Sequence, residues 1–201
     1  MVELTTKSGR RWPRIATLKN GAKVALRQAQ PQDAVGLLHF RNRAFAEAKE
    51  FLVTQPDEYR QSIEDMIRII GHYLNQPNTL MLLAADAAAT SEIVGEITFS
   101  GQLKRRNRHV GEFGMTARKK YWNTGIGYLL LSELMSWATD HSFVSKVTCE
   151  VFETNPRAIA LYEKCGFTVE GKLRGQYRRA DGGGYIDSYL MACWVKNGPD
   201  R

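Results

Sequence analysis

The sequence predicts an α/β (α+β) protein of one domain, in which helices flank a central mixed sheet. Helix and strand patterns alternate along the chain, and a hairpin pattern lies near each end. A length of 201 residues, with 43% hydrophobic residues, suits one globular domain with its own core. We expect residues 1–14, which are polar and aperiodic, to form a tail or a short edge strand, and residues 15–201 to form the domain.

The first half of the chain predicts a hairpin, two helices and two strands. Apolar and polar residues alternate on both sides of Asn20-Gly21, a dipeptide typical of tight hairpin turns. Apolar residues then recur at three- and four-residue steps over residues 31–49 and 56–75, which is the pattern of amphipathic helices. The two strands that follow are expected at residues 80–86 and 93–99.

The second half predicts strands that alternate with two more helices. Strands are expected at residues 109–116 and 146–152, and a helix with apolar residues on one face begins at about Gly127. The last helix is expected within residues 155–166. A closing hairpin is expected from residues 168–172 and 185–195, with its turn at 181–184.

Two glycines mark the junction between a predicted strand and the helix after it. Gly125 and Gly127 stand just before a run of apolar residues with helical spacing. Glycine lets the backbone approach a ligand closely, and the unpaired N–H groups of a first helical turn attract phosphate. The junction therefore predicts a phosphate or pyrophosphate site, although such glycines also occur as structural punctuation. The spacing fits neither the dinucleotide-binding fingerprint nor the P-loop.

A second block follows about thirty residues later, at residues 155–167. Asn155 is placed as a helix N-cap, Pro156 stands at the first helical position, and Gly166 ends the helix. Together the two blocks resemble the acetyl-CoA-binding core of the Gcn5-related N-acetyltransferase (GNAT) superfamily. The second block is similar to the family segment N-x-x-A-x-x-L-Y-x-K-x-G-F.

The glycine junction resembles the family motif Q/R-x-x-G-x-G/A, with two departures. Trp122 stands where the family usually has Gln or Arg, and Asn123 stands where glycine is frequent. The resemblance implies a mostly antiparallel twisted sheet whose strands splay at the acetyl-CoA site. It implies acetyl-CoA as the donor and these cofactor-binding residues: Met115, Thr116, Trp122, Asn123, Thr124, Gly125, Ile126, Gly127, Tyr128, Asn155, Ala158 and Tyr162.

The resemblance also implies direct transfer of acetyl to a primary amine, with Tyr162 as the general acid for the leaving thiolate. A phenol has an ordinary pKa of roughly 10, which is close enough to the roughly 8.5 of a thiol for such a transfer. The alternative is a tyrosine that only packs against the sheet.

Three glutamates on predicted strands, Glu96, Glu112 and Glu150, are candidates for the base that deprotonates the amine. Glu150 precedes Tyr162 by twelve residues, a spacing similar to that of the acid and base pair in ribosomal-protein amino-terminal acetyltransferases. We take Glu150 and Glu112 as catalytic candidates and Glu96 and Asp187 as substrate-binding candidates. Each of these carboxylates has a solvent-facing position as its alternative.

Composition narrows the remaining function classes. The net charge of +7 is concentrated at Lys104–Arg108 and Arg174–Arg179, both expected in hairpin loops, but no nucleic-acid recognition motif accompanies it. We expect a solvated basic face, with docking on RNA-rich partners or steering of the anionic cofactor as alternatives. Three widely spaced cysteines and four histidines without ligand spacing imply no metal. No apolar run approaches a membrane span or a secretion signal, so a cytoplasmic location is expected.

The sequence does not identify the amine that accepts the acetyl group. A small-molecule amine and a protein N-terminus both fit, and a homodimer is compatible with exposed edge strands. The rival function classes are a non-catalytic acyl-CoA sensor and a protein that interacts with RNA or the ribosome.

Overall fold

The computed structural model describes residues 12–196 and 198, which form one eight-stranded sheet with four helices. The order of the strands in the sheet is β1-β2-β3-β4-β5-β6-β8-β7. Most of the expected tail, residues 1–11, lies outside the described residues. The strands are β1 (Arg14–Thr17), β2 (Lys23–Gln28), β3 (Thr79–Asp86), β4 (Ile93–Gly101), β5 (Val110–Ala117), β6 (Lys146–Phe152), β7 (Thr168–Arg178) and β8 (Tyr185–Trp194).

The helices cover both faces of the sheet and enclose two apolar clusters. On one face Leu37 of α1 and Ile70 of α2 pack on β3, and on the other Leu130 of α3 and Tyr162 of α4 pack on the central strands. The four helices are α1 (Ala34–Ala48), α2 (Ile63–Asn75), α3 (Ile126–Asp140) and α4 (Pro156–Lys164). No helix in the described part of the chain is both long and apolar enough to cross a bilayer.

The sheet opens between β5 and β6. Within the described residues these two strands pair in parallel, whereas the other neighbouring strands pair antiparallel. The parallel register runs only from Val110↔Lys146 to Glu112↔Thr148, although both strands continue well beyond it. The predicted mixed, mostly antiparallel sheet with splayed strands is therefore confirmed.

The second helix begins later than the sequence pattern suggests. We expected it from about residue 56, but α2 begins at Ile63. Ser62 caps it, because its hydroxyl accepts from the Asp65 N–H at 3.1 Å while the Asp65 carboxylate accepts from the Ser62 N–H at 2.8 Å. Residues 52–62 are consequently a loop, and the beginning of this loop reaches the central cavity.

The fourth helix has the predicted ends. The Asn155 side chain accepts from the Ala158 N–H at 3.2 Å, and Pro156 occupies the first helical position. Gly166 ends the helix with φ +89°, and the N–H groups of Gly166 and Phe167 donate to the carbonyls of the last turn.

The closing hairpin is longer than expected. We placed Arg174–Arg179 in a loop, but β7 continues to Arg178. A bulge allows this: the register shifts between Leu173 and Tyr177, and Gly175 adopts φ +60° there. The other basic cluster, Lys104–Arg108, does lie in the loop between β4 and β5.

Candidate active site

A cavity of about 1180 Å³ lies at the splay between β5 and β6. Its walls come from α1, the loop after α1, strands β4 to β6, and the beginnings of α3 and α4. Fourteen of the predicted site residues line it: Glu96, Glu112, Met115, Thr116, Trp122, Asn123, Gly125, Ile126, Gly127, Tyr128, Glu150, Asn155, Ala158 and Tyr162. We call the part around Gly125 and Gly127 the donor half and the part around Glu112 and Glu150 the acceptor half.

The backbone of the donor half turns sharply into α3. Gly125 is the N-cap residue with φ +91°, and Asn123 has φ +62°, a conformation that asparagine tolerates better than most side chains. The first helical bond runs from the Leu129 N–H to the Gly125 carbonyl at 2.9 Å. The N–H groups of Ile126, Gly127 and Tyr128 therefore precede it and form a site of the kind that binds phosphate.

Gly127 packs closely against α4 and β5. A Cβ at this position would lie 2.9 Å from Cδ2 of Leu161 and 3.5 Å from Cε of Met115. A side chain here would therefore displace the ends of these two side chains and narrow the passage between α3, α4 and β5. The glycine-lined turn has the backbone groups to hold the pyrophosphate of acetyl-CoA, and the passage beside it has room for the pantetheine arm.

Strand β5 offers the donor half an open backbone edge. Met115 and Thr116 pair with Ile97 and Glu96 of β4, but β5 has no pairing with β6 beyond Glu112. Backbone groups on that edge need a hydrogen-bonding partner, and an extended ligand with amide groups can supply one.

Trp122 lies in a cluster of aromatic and cationic side chains at the rim of the cavity. Its indole N–H donates to the Ala117 carbonyl at 2.9 Å. The guanidinium of Arg157 lies 3.7 Å from the centre of its ring, and Phe51 approaches edge-on with ring centres 6.3 Å apart. Burial lowers the pKa of Arg157. The departure from the family motif at Trp122 thus holds an arginine of α4 at the rim of the cavity.

Tyr162 stands between the donor half and the core. It is 7% exposed and contacts Phe113 edge-on, with ring centres 5.2 Å apart. Its hydroxyl makes no hydrogen bond to any of the described residues. Burial raises its pKa above the ordinary value of a tyrosine. The phenol therefore stays protonated at neutral pH, but it is a weaker proton donor than a tyrosine of ordinary pKa.

Glu112 and Glu150 face the acceptor half together. On β5 and β6 they alternate with Phe113 and Cys149, which are buried in the α3 and α4 cluster, so the carboxylates point to the α1 side of the sheet. Neither is ion-paired within the described residues. Burial and the charge of Glu150 raise the pKa of Glu112, and Glu150 itself accepts from the Ser188 hydroxyl at 2.5 Å.

Tyr177 of β7 lines the cavity beside Glu150. Burial and the nearby Glu150 carboxylate raise the pKa of its phenol. Sequence reasoning missed Tyr177, because the β7 bulge that directs it into the cavity has no clear pattern in the chain.

Glu96 forms an ion pair in the wall of the cavity. Arg41 of α1 donates to both of its carboxylate oxygens, with Nε 2.9 Å from Oε2. Burial opposes the charged form of Arg41, but the Glu96 carboxylate outweighs it and raises the pKa of the arginine. The predicted contact of Glu96 with the substrate stays a prediction, and Arg41 is a lining residue that the helical pattern did not distinguish.

Two predicted residues lie outside the lining. Thr124 is buried, and its hydroxyl donates to the Tyr121 carbonyl at 2.6 Å, so it shapes the turn. Asp187 accepts from the Gly175 N–H at 2.7 Å and lies 3.0 Å from the Lys172 ammonium. Its carboxylate is therefore used within the β7–β8 hairpin, and the structure does not bring it into the cavity.

The cysteines offer no activated thiol. Burial raises the pKa of Cys149 to about 12, which keeps the thiol protonated. Among the described residues, no group of three or more metal-binding side chains comes together.

The chain belongs to the acetyltransferase (GNAT) family, whose model matches residues 41–167. A curated relative is the L-amino acid N-acetyltransferase AaaT of Escherichia coli (strain K12). It is 31% identical over 106 residues, which make up 53% of this chain and 64% of that protein. The match thus spans less than two thirds of that relative.

Solved structures are similar over most of the chain. An acetyltransferase of the GNAT family from Streptococcus pneumoniae is 32% identical with a TM-score of 0.78, over 85% of this chain and 99% of that chain. A phosphinothricin acetyltransferase (Pat) from Sinorhizobium meliloti, solved in complex with AcCoA, is 20% identical with a TM-score of 0.73, over 88% and 90%. The second likeness concerns the fold alone.

Proposed function

We infer that the protein is an N-acetyltransferase that uses acetyl-CoA to acetylate a primary amine directly. One observation carries this proposal: a single cavity runs through the splay, with the glycine junction at one end and the Glu112–Glu150 pair at the other. The two reactants can thus enter from opposite faces of the sheet. Membership of the family supports the reaction class.

Acetyl-CoA supplies the acetyl thioester. The N–H groups of residues 126–128 would hold its pyrophosphate, and the free edge of β5 at Met115 and Thr116 would pair with the pantetheine amides. Asn155 and Ala158 line the same passage. Held in this way, the thioester carbonyl would lie near Tyr162, which lines the same cavity.

The acceptor half is proposed to deprotonate the amine. An amine enters as an ammonium and must lose a proton before it can attack. We assign this proton to Glu112, because burial and the charge of Glu150 raise its pKa and with it its affinity for a proton. The neutral amine would then attack the thioester carbonyl directly, so that no covalent acetyl-enzyme forms, and the Tyr162 hydroxyl would donate a proton to the leaving thiolate.

The acceptor is proposed to be a small amine with an apolar part. Phe45, Phe51 and Leu52 contribute apolar side chains to the lining of the cavity. The name of the AaaT relative, an L-amino acid N-acetyltransferase, supports a small acceptor. A protein N-terminus, a cytoplasmic location and a homodimer remain predictions.

The test is an assay of thiol release from acetyl-CoA with a panel of primary amines, amino acids and N-terminal peptides. Release that depends on the amine, with the acetylated amine found by mass spectrometry, is the expected result. Tight binding of acetyl-CoA without transfer to any amine in the panel would favour the acyl-CoA sensor instead.

A further inference from the structure

Lys19 is a cation beside the glycine junction that comes from outside the family match. It lies in the turn between β1 and β2, whereas the match covers residues 41–167. Its backbone N–H donates to the Thr124 carbonyl at 2.9 Å. This hydrogen bond attaches the N-terminal hairpin to the loop that contains Gly125.

The side chain of Lys19 runs along the glycine junction. A Cβ built on Gly125 would lie 3.5 Å from its Cγ and 3.8 Å from its Cδ and Cε. Lys19 also lines the cavity. Its aliphatic stem therefore lies against Gly125, the residue that begins the first turn of α3.

Lys19 differs from the other cations of the lining, each of which has a carboxylate or aromatic partner. Those pairs are Arg41 with Glu96, Arg157 with Trp122 and Lys164 with Tyr128. Within residues 12–196 and 198, Lys19 has no ion pair and no ring contact. A ligand phosphate can thus pair with it without displacing a partner among these residues.

We propose that Lys19 is a further acetyl-CoA-binding residue, whose ammonium pairs with the pyrophosphate at the first turn of α3. This inference rests on the proposed function. An ammonium beside the N–H groups of residues 126–128 adds a mobile full charge to the fixed partial charges of the helix terminus. The N-terminal hairpin is then part of the donor half and not only an edge of the sheet.

The experiment uses Lys19→Met, which removes the charge but keeps an aliphatic stem and the backbone bond to Thr124. Lys23→Met is the matched control, because Lys23 is exposed in the same hairpin and lies outside the lining. Calorimetry compares acetyl-CoA with its analogue that lacks the 3′-phosphate, at low and high salt. The melting temperature of each ligand-free variant is measured in parallel.

We expect Lys19→Met to weaken binding of both ligands by about tenfold, the size of one lost charge-assisted hydrogen bond. The salt dependence of its affinity should become shallower, while Lys23→Met binds like the wild type and both melting temperatures are unchanged. Unchanged affinity, a loss seen only with the 3′-phosphate present, or a loss explained by a lower melting temperature would overturn the role of Lys19. A wild type that binds neither ligand would instead contradict the acetyl-CoA proposal itself, and the role of Lys19 with it.

Discussion

The donor and acceptor halves of the cavity are built in different ways. The donor half uses backbone: the left-handed Gly125, the close approach at Gly127 and the open edge of β5. The acceptor half uses side chains from distant segments, such as Arg41 of α1 with Glu96 of β4. The difference indicates that the donor half is encoded by nearby residues, whereas the acceptor half depends on contacts between distant segments.

The largest effect is expected where the two halves meet. Tyr162→Phe removes the proton donor but keeps the ring contacts with Phe113 and Phe167. We expect kcat to fall roughly 10²- to 10⁴-fold, as for loss of a general acid, while acetyl-CoA binds as before. Steady-state kinetics and calorimetry measure the two quantities. Retained kcat would show that Tyr162 only packs against the sheet.

The ion pair of the acceptor half should matter for stability. Arg41→Gln leaves the Glu96 carboxylate buried without its partner, which costs about 3–5 kcal/mol in typical buried pairs. The double variant Arg41→Gln/Glu96→Gln restores a neutral pair and should recover much of this loss. Denaturant unfolding measures both. Equal losses in the single and double variants would mean that the two residues are not coupled.

The two carboxylates should be separable by their pH dependence. Glu112→Gln is expected to lower kcat by about 10²-fold, because it removes the proposed base. Glu150→Gln should leave more activity and move the acidic limb of the kcat/KM profile to lower pH, since burial and the Glu150 charge raise the pKa of Glu112. If Glu150→Gln instead lost more kcat than Glu112→Gln, and the acidic limb of the kcat/KM profile did not move in Glu112→Gln, then Glu150 would be the base and Glu112 its neighbour.

The smallest effect is expected at the rim. Arg157→Ala removes the cation above Trp122, a contact worth roughly 0.5–2 kcal/mol. We expect a modest loss of acetyl-CoA affinity by calorimetry, with kcat almost unchanged. Arg157→Lys, which keeps the charge but not the planar stack, should be intermediate. If Arg157→Ala bound acetyl-CoA as tightly as the wild type, the cluster around Trp122 would have no part in binding the cofactor.

The sequence predicts the donor half well because glycine, asparagine and proline have backbone preferences that act over a few residues. Asn155 as an N-cap, Gly166 as a helix end and the glycine junction all appear where expected. Asn123 looked like a departure, but its φ of +62° explains why it can replace a glycine.

The acceptor half was harder to predict. The pairing of Arg41 with Glu96 joins residues 55 positions apart, so no local spacing could show that Glu96 was already engaged. The apolar spacing extends the second helix back to about residue 56, whereas the capping box at Ser62 begins it at Ile63. Asp187 looked available because the bulge at Gly175, which uses its carboxylate, is a tertiary feature.

The most direct test is calorimetric titration of the wild type and Gly125→Glu with acetyl-CoA. Gly182→Glu is the control, because Gly182 also has positive φ, at +74°, but lies in the β7–β8 turn away from the cavity. If the donor half binds acetyl-CoA, the wild type and Gly182→Glu bind it and Gly125→Glu does not, while all remain folded. A folded wild type that does not bind acetyl-CoA, or a Gly125→Glu variant that binds it equally well, would contradict the account.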